Sequence, residues 1–303
     1  MSVTTSSPAT PVPSPPVPSQ GPGQGKPRHL PKAHSFEVFQ HYERLQWKVS
    51  EVGLGDVVHD RVKPAYIALV KGVVMGEATS LPGLHGFLSE FADDYDCSAF
   101  VAIWAYQELQ HHYAFRAWLE AVGVEIEQAK IEALREPYEA GITPAATLTT
   151  NVISEIIVNT VYRALADWVE EPVLADLFLR SSRDEAGHAR EFLFYLKRRL
   201  EQHPEELTSV LERIHFYVTS ARLNHPVGVY KHQRVEEMKD HETVDDVIDV
   251  YIRIAPPEAL DNLQAKLRRM LGTAVGFDLR RNSDIRAAMA ESIDRLNAVP
   301  SQV

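Results

Sequence analysis

Apolar residues recur at three-and-four spacing almost throughout the chain from residue 35 onward, the period of one face of an α-helix. The stretch 63–91 carries this pattern but holds Gly76, Pro82 and Gly83 in its middle. Proline lacks a backbone donor and crowds the preceding turn, so a kink or break is expected near Pro82. A second helix is expected over 98–123, with Gly123 as its C-cap. A shorter polar helix follows over 125–141. The helix expected over 143–171 opens on Thr-Pro, and that over 172–202 starts with Pro172 in its first turn. Further helices are expected near 205–222, 242–253, 257–271 and 284–297. No alternating strand pattern of any length occurs. The economical architecture is all-α, a four-helix core with additional C-terminal helices in one domain over 34–303. Residues 1–33 are rich in Pro, Ser, Thr and Gly and nearly free of large apolar side chains. Such a segment buries too little surface to offset its chain entropy, so a disordered tail is expected there.

Composition narrows the function classes. Hydrophobic residues make up 45% of the chain, ordinary for a protein with a sizeable core, while a net charge of −11 argues against a general nucleic-acid binder. A single cysteine, Cys97, excludes an internal disulfide. No uninterrupted apolar run reaches the roughly 18 residues of a membrane span, and the N-terminus lacks the pattern of a secretion signal. The expectation is a cytoplasmic protein without a membrane span. Thirteen histidines are many for this length.

Two of those histidines stand in a chemically suggestive pattern. Glu108 precedes His111 by three residues in an apolar run, and Glu185 precedes His188 likewise. On a helix such pairs lie on one face, about 5–6 Å apart at Cβ, so each can offer an oxygen and a nitrogen to one point. The spacing alone is a weak signal, since Glu212 and His215 repeat it. The upstream glutamates strengthen it. Glu77 lies 31 residues before Glu108, and Glu155 lies 30 before Glu185, both among apolar neighbours. In two antiparallel helices joined by a short turn, that spacing brings both carboxylates to one level. The chain therefore holds two copies of one unit: Glu on one helix, then Glu-x-x-His on the next. Buried carboxylates are costly unless something compensates them. Four carboxylates and two imidazoles facing inward match the di-iron or di-manganese arrangement of ferritin-like bundles. Glu90 is a rival to Glu77 but lies too near the turn. His85, His112, Glu212 and His215 are read as outside the ligand set.

At these residues the chain resembles the soluble acyl-carrier-protein desaturases, particularly actinobacterial members of that ferritin-like di-iron family. "IWAYQELQHH" resembles the family's Trp-x-x-x-Glu-x-x-His helix, with Trp104 four residues before Glu108. "MGEATSLP" resembles its first Glu-bearing segment. "SEIIVNTVYRALADWVEEPVLADLFLRSSRDEAGHAREF" resembles its second half, including the Glu-Glu-Pro between helices. The likeness covers roughly residues 63–200. It implies metal ligands at Glu77, Glu108, His111, Glu155, Glu185 and His188. It also implies that Asp184 orients a ligating histidine and passes a hydrogen bond to a tryptophan near the N-terminus, for which Trp47 is the candidate. The chain departs from plant members in carrying Val158, followed by Asn159 and Thr160, where they carry a threonine. The segment between Glu77 and Pro82 is one residue longer than theirs.

The function this implies is an O2-dependent di-iron oxidoreductase with two iron ions, desaturating an acyl chain carried on acyl carrier protein or a similar thioester. The resemblance further implies a ferredoxin-type electron donor and a homodimer. Val73, Val74, Phe100, Ile103 and Ile156 are candidate channel residues. Lys197, Arg198 and Arg199, or Lys266, Arg268 and Arg269, are candidate basic patches for an acidic carrier. The alternative is a di-iron monooxygenase, hydroxylating or N-oxygenating a small metabolite. Ser181 stands where arylamine N-oxygenases of this superfamily carry a further histidine, which counts against that branch. Iron storage is disfavoured by chain length and by the single cysteine.

Overall fold

The computed structural model describes residues 33–132, 143–219 and 247–298, and within them the fold is all-α. The helices are α1 (His34–Leu45), α2 (Pro64–Glu77), α3 (Ser80–Glu90), α4 (Tyr95–Ala121), α5 (Gln128–Glu132), α6 (Pro144–Trp168), α7 (Pro172–Gln202), α8 (Leu207–Val218), α9 (Val247–Ile254), α10 (Ala259–Val275) and α11 (Asn282–Ala298). Between α1 and α2 the chain makes three short 3₁₀ turns, at Val49–Glu51, Leu54–Asp56 and His59–Arg61. No strand occurs among the described residues. The tail expected over 1–33 lies outside them except for Ala33, as do 220–222 and 242–246 of two expected helices.

Local chemistry sets the helix ends. Asp94 caps α4 by accepting from the Cys97 amide at 3.0 Å. Thr143 caps α6 by accepting from the Ala146 amide at 3.2 Å, with Pro144 behind it. The end of α4 is built on Gly123, whose φ of 78° suits a residue without Cβ. Its amide donates to the Glu120 carbonyl and that of Val124 to the Leu119 carbonyl, the paired bonds of a Schellman motif.

The break expected near Pro82 falls at Ala78 and Thr79, between α2 and α3. Proline has no amide to give the carbonyl four residues back, which is that of Ala78. Just ahead of it, the carbonyls of Gly76 and Glu77 accept from the Thr79 and Ser80 hydroxyls, each at 2.7 Å. Glu77 thus ends its helix with its carbonyl satisfied. The span Pro64–Glu90, taken across this break, is long and apolar enough by composition to cross a membrane, although no single apolar run suggests it. Half of that apolar window is buried inside the protein.

Helices α6 and α7 pack along each other, α2 lies against α4, and α4 also meets α7. One continuous apolar core joins them, including Val74, Phe100, Phe115, Trp118, Ile153, Phe178 and Phe192. Helix α1 packs on α4. Gly187 on α7 makes room for it, since a Cβ there would press into the Tyr42 hydroxyl. The expected helix over 125–141 is seen only at Gln128–Glu132, and residues 133–141 lie outside the described set.

Candidate metal centre

Six side chains from four helices converge in this core. Glu77 comes from the last turn of α2, Glu108 and His111 from α4, Glu155 from α6, and Glu185 and His188 from α7. All six are buried. They form two groups, Glu77, Glu108, His111 and Glu185, and Glu108, Glu155, Glu185 and His188. Within each, one ligand atom per residue lies within 4.8 Å of the others. Glu108 and Glu185 belong to both groups, so two cations placed here would share two carboxylates.

Each imidazole turns Nδ1 inward. His111 Nδ1 lies 3.2 Å from Glu185 and 3.8 Å from Glu77. His188 Nδ1 lies 2.8 Å from Glu185, 2.9 Å from Glu108 and 3.7 Å from Glu155. Despite these approaches, Glu108 Oε1, Glu185 Oε1 and His111 Nδ1 are buried without a hydrogen bond. Buried polar atoms are rarely left so. Three of them in one cluster fit a cation, and a set of oxygens and nitrogens without sulfur fits a hard or borderline metal.

The charges of this cluster distort one another. Burial, then the Glu185 charge, pushes the Glu155 carboxyl up to about 8 and that of Glu108 well above the usual range. Burial opposes charge on both imidazoles, yet the surrounding carboxylates raise both well above the ordinary histidine value. Burial also opposes charge on Glu185, but the two histidines hold it below the usual carboxylate range. A cation entering here would displace protons.

Neighbours hold the six in place. The Trp104 indole donates to Glu155 Oε1 at 3.2 Å, and the Tyr162 hydroxyl donates to Glu77 Oε1. Asp184 Oδ2 lies 3.1 Å from His111 Nε2 and accepts from the Trp47 indole at 2.7 Å. Sequence reasoning missed Tyr162. It lies seven residues after Glu155, two helical turns along the same face, and that spacing was the available signal. Three glutamines, Gln46, Gln107 and Gln110, were also missed.

The other candidates lie elsewhere. His112 is buried, with Nδ1 donating to the Val74 carbonyl at 2.8 Å, whereas His85 and Glu212 are exposed and His215 is half-buried. Glu90 accepts from the Thr147 hydroxyl at 3.0 Å. Val73, Val74, Phe100 and Ile156 are buried core residues and Ile103 is half-buried. Both candidate basic patches are partly spent on contacts within the chain. Arg198 pairs with Asp94 and Asp96, and Arg199 with Glu206. Lys266 donates to Asn159 at 3.1 Å, and Arg268 to the Arg280 carbonyl at 3.0 Å. Neither a protein-family model nor a curated protein matches the chain.

Proposed function

We propose that the protein is an O2-dependent di-iron oxidoreductase acting on an acyl chain, with desaturation as its reaction. The observation that carries this reading is the doubled Glu/His set sharing Glu108 and Glu185, with three buried ligand atoms lacking hydrogen bonds. When bound, an iron pair supplies O2 activation and the oxidising power to remove hydrogen from unactivated carbon.

The chain's residues supply the rest. Glu108 and Glu185 would hold both metal positions together, while Glu77 with His111 and Glu155 with His188 complete one each. Tyr162 and Trp104 restrain the outer carboxylates by donating to them. Asp184, facing His111 Nε2, would favour the Nε2–H tautomer and so leave Nδ1 to a cation once its proton is displaced. Val73, Val74, Phe100 and Ile156 belong to the apolar core that joins these helices. An acyl thioester on a carrier protein, a ferredoxin-type electron donor and a homodimer belong to the same proposal, supported by the resemblance of residues 63–200.

The test is iron per chain after anaerobic ferrous loading and desalting, followed by mixing with O2 in a spectrophotometer. About two irons and a new near-ultraviolet or visible band are expected. Mass analysis of acyl substrates then separates hydrogen loss from oxygen gain. Failure to retain iron would overturn the di-iron reading, and oxygen gain would replace desaturation by hydroxylation.

A further inference from the structure

The two imidazoles are oriented by different means. His111 Nε2 meets a carboxylate, that of Asp184. His188 Nε2 meets a neutral amide, Gln107 Oε1, at 3.0 Å. An amide can present either its oxygen or its nitrogen, so something must decide which end faces His188.

The hydrogen bonds beyond it decide. Gln107 Nε2 donates to Gln46 Oε1 at 2.6 Å. Gln46 Nε2 donates to Gln110 Oε1 at 3.1 Å and reaches Asp184 Oδ2 at 3.4 Å. Gln110 Nε2 donates to the Trp47 backbone carbonyl. The carbonyl and the carboxylate can only accept. Gln110 must therefore turn its nitrogen to Trp47 and its oxygen to Gln46. Gln46 must then turn its oxygen to Gln107, and Gln107 its oxygen to His188. Reversing any one amide would set donor against donor or acceptor against acceptor. Gln107 and Gln110 are buried, so water offers little relief.

We propose that Gln46, Gln107 and Gln110 form a one-directional hydrogen-bond chain, anchored at the Trp47 carbonyl, that holds His188 as the Nε2–H tautomer and frees its Nδ1 to bind metal. The three glutamines are positioning residues for the metal position that includes His188. This rests on the reading of the centre as a metal site.

Cobalt(II) titration of the metal-free protein, followed by its visible absorption, tests the chain of bonds. Wild type is expected to bind two cobalt ions. Gln107→Leu, similar in size but unable to accept, is expected to weaken one of the two binding steps roughly 10–100-fold. Gln107→Glu still accepts from Nε2–H but gives up its donation to Gln46, and is expected to lose clearly less than Gln107→Leu. Gln46→Leu touches neither imidazole, yet is expected to weaken the same step by roughly tenfold. A purely steric role would favour Leu over Glu at position 107. The inference is overturned if Gln107→Leu binds cobalt as wild type does, if Gln107→Glu loses as much as Gln107→Leu, or if both steps weaken equally. Should Gln107→Leu fail to fold, Gln46→Leu decides. A wild type that binds no cobalt overturns the metal reading itself, which a two-cobalt wild type with unaltered variants would leave standing.

Discussion

Glu171 and the Glu108–Glu185 pair are both buried carboxylates, but they are used differently. Glu171, the N-cap of α7, is fully buried and fully partnered. Its Oε1 accepts from the amides of Val58 at 3.1 Å and Val173 at 3.3 Å. Its Oε2 accepts from the Leu174 amide at 2.8 Å and the Trp118 indole at 2.9 Å. Donors from three parts of the chain close that site. At the Glu/His centre, by contrast, Glu108 and Glu185 each keep an oxygen without a hydrogen bond. The first carboxylate ties helices together and has no capacity left. The second pair keeps acceptor capacity that a cation could fill. Burial alone does not mark a functional acid; unfilled acceptor capacity does.

The largest expected effect sharpens this difference directly. Replacing Glu185 and His188 together by Ala should reduce bound iron from about two per chain to none, with helicity retained in far-ultraviolet circular dichroism. Unchanged iron content would remove both residues from the ligand set. The same isosteric change at each site should then give opposite results. Glu171→Gln turns an amide nitrogen toward donors and should cost about 3 kcal/mol in urea unfolding. Glu108→Gln should leave metal-free stability within about 1 kcal/mol while weakening metal uptake. Equal losses of stability at both positions would break the comparison.

A smaller effect is expected at Gly187. Gly187→Ala places a methyl group against the Tyr42 hydroxyl at the far end of its side chain, and, with part of the strain offset by the helix preference of alanine, should cost about 1 kcal/mol. An unchanged melting temperature would show that α1 yields freely. The smallest effect concerns Asp96. Burial pushes its carboxyl upward, but hydrogen bonds from Ser35 and the Arg198 guanidinium outweigh burial and hold it below the usual range. A depressed carboxyl stabilises the fold above its unfolded value and loses that contribution as pH falls through its folded value. Unfolding measured between neutral pH and about pH 3 should therefore show a loss below about pH 4 that Asp96→Asn lacks. Parallel pH profiles would refute it.

The six converging side chains are legible in the sequence because helical geometry is periodic. Spacings of 31 and 30 residues fix a common level on paired helices without further information. The starts of α6 and α7 are legible for a similar reason, since Thr143-Pro144 and Glu171-Pro172 act within one turn. The role of Glu171 is not, because two of its donors, Val58 and Trp118, come from far along the chain. The glutamines are hidden likewise. Gln107 and Gln110 meet Gln46 and Trp47 across 61 and 63 residues, with no period to announce it. The α2–α3 break falls ahead of Pro82 because proline disrupts the turn before it.

The join between Trp47 and Asp184 spans 137 residues of sequence. During synthesis at about 5–20 residues per second, the tryptophan waits on the order of ten seconds for its partner. Residues 77, 108 and 111 are made well before 185 and 188. A nascent chain therefore carries four of the six side chains but lacks both Glu185 and His188 until α7 has been made. The order of the helices alone places completion of the set within α7.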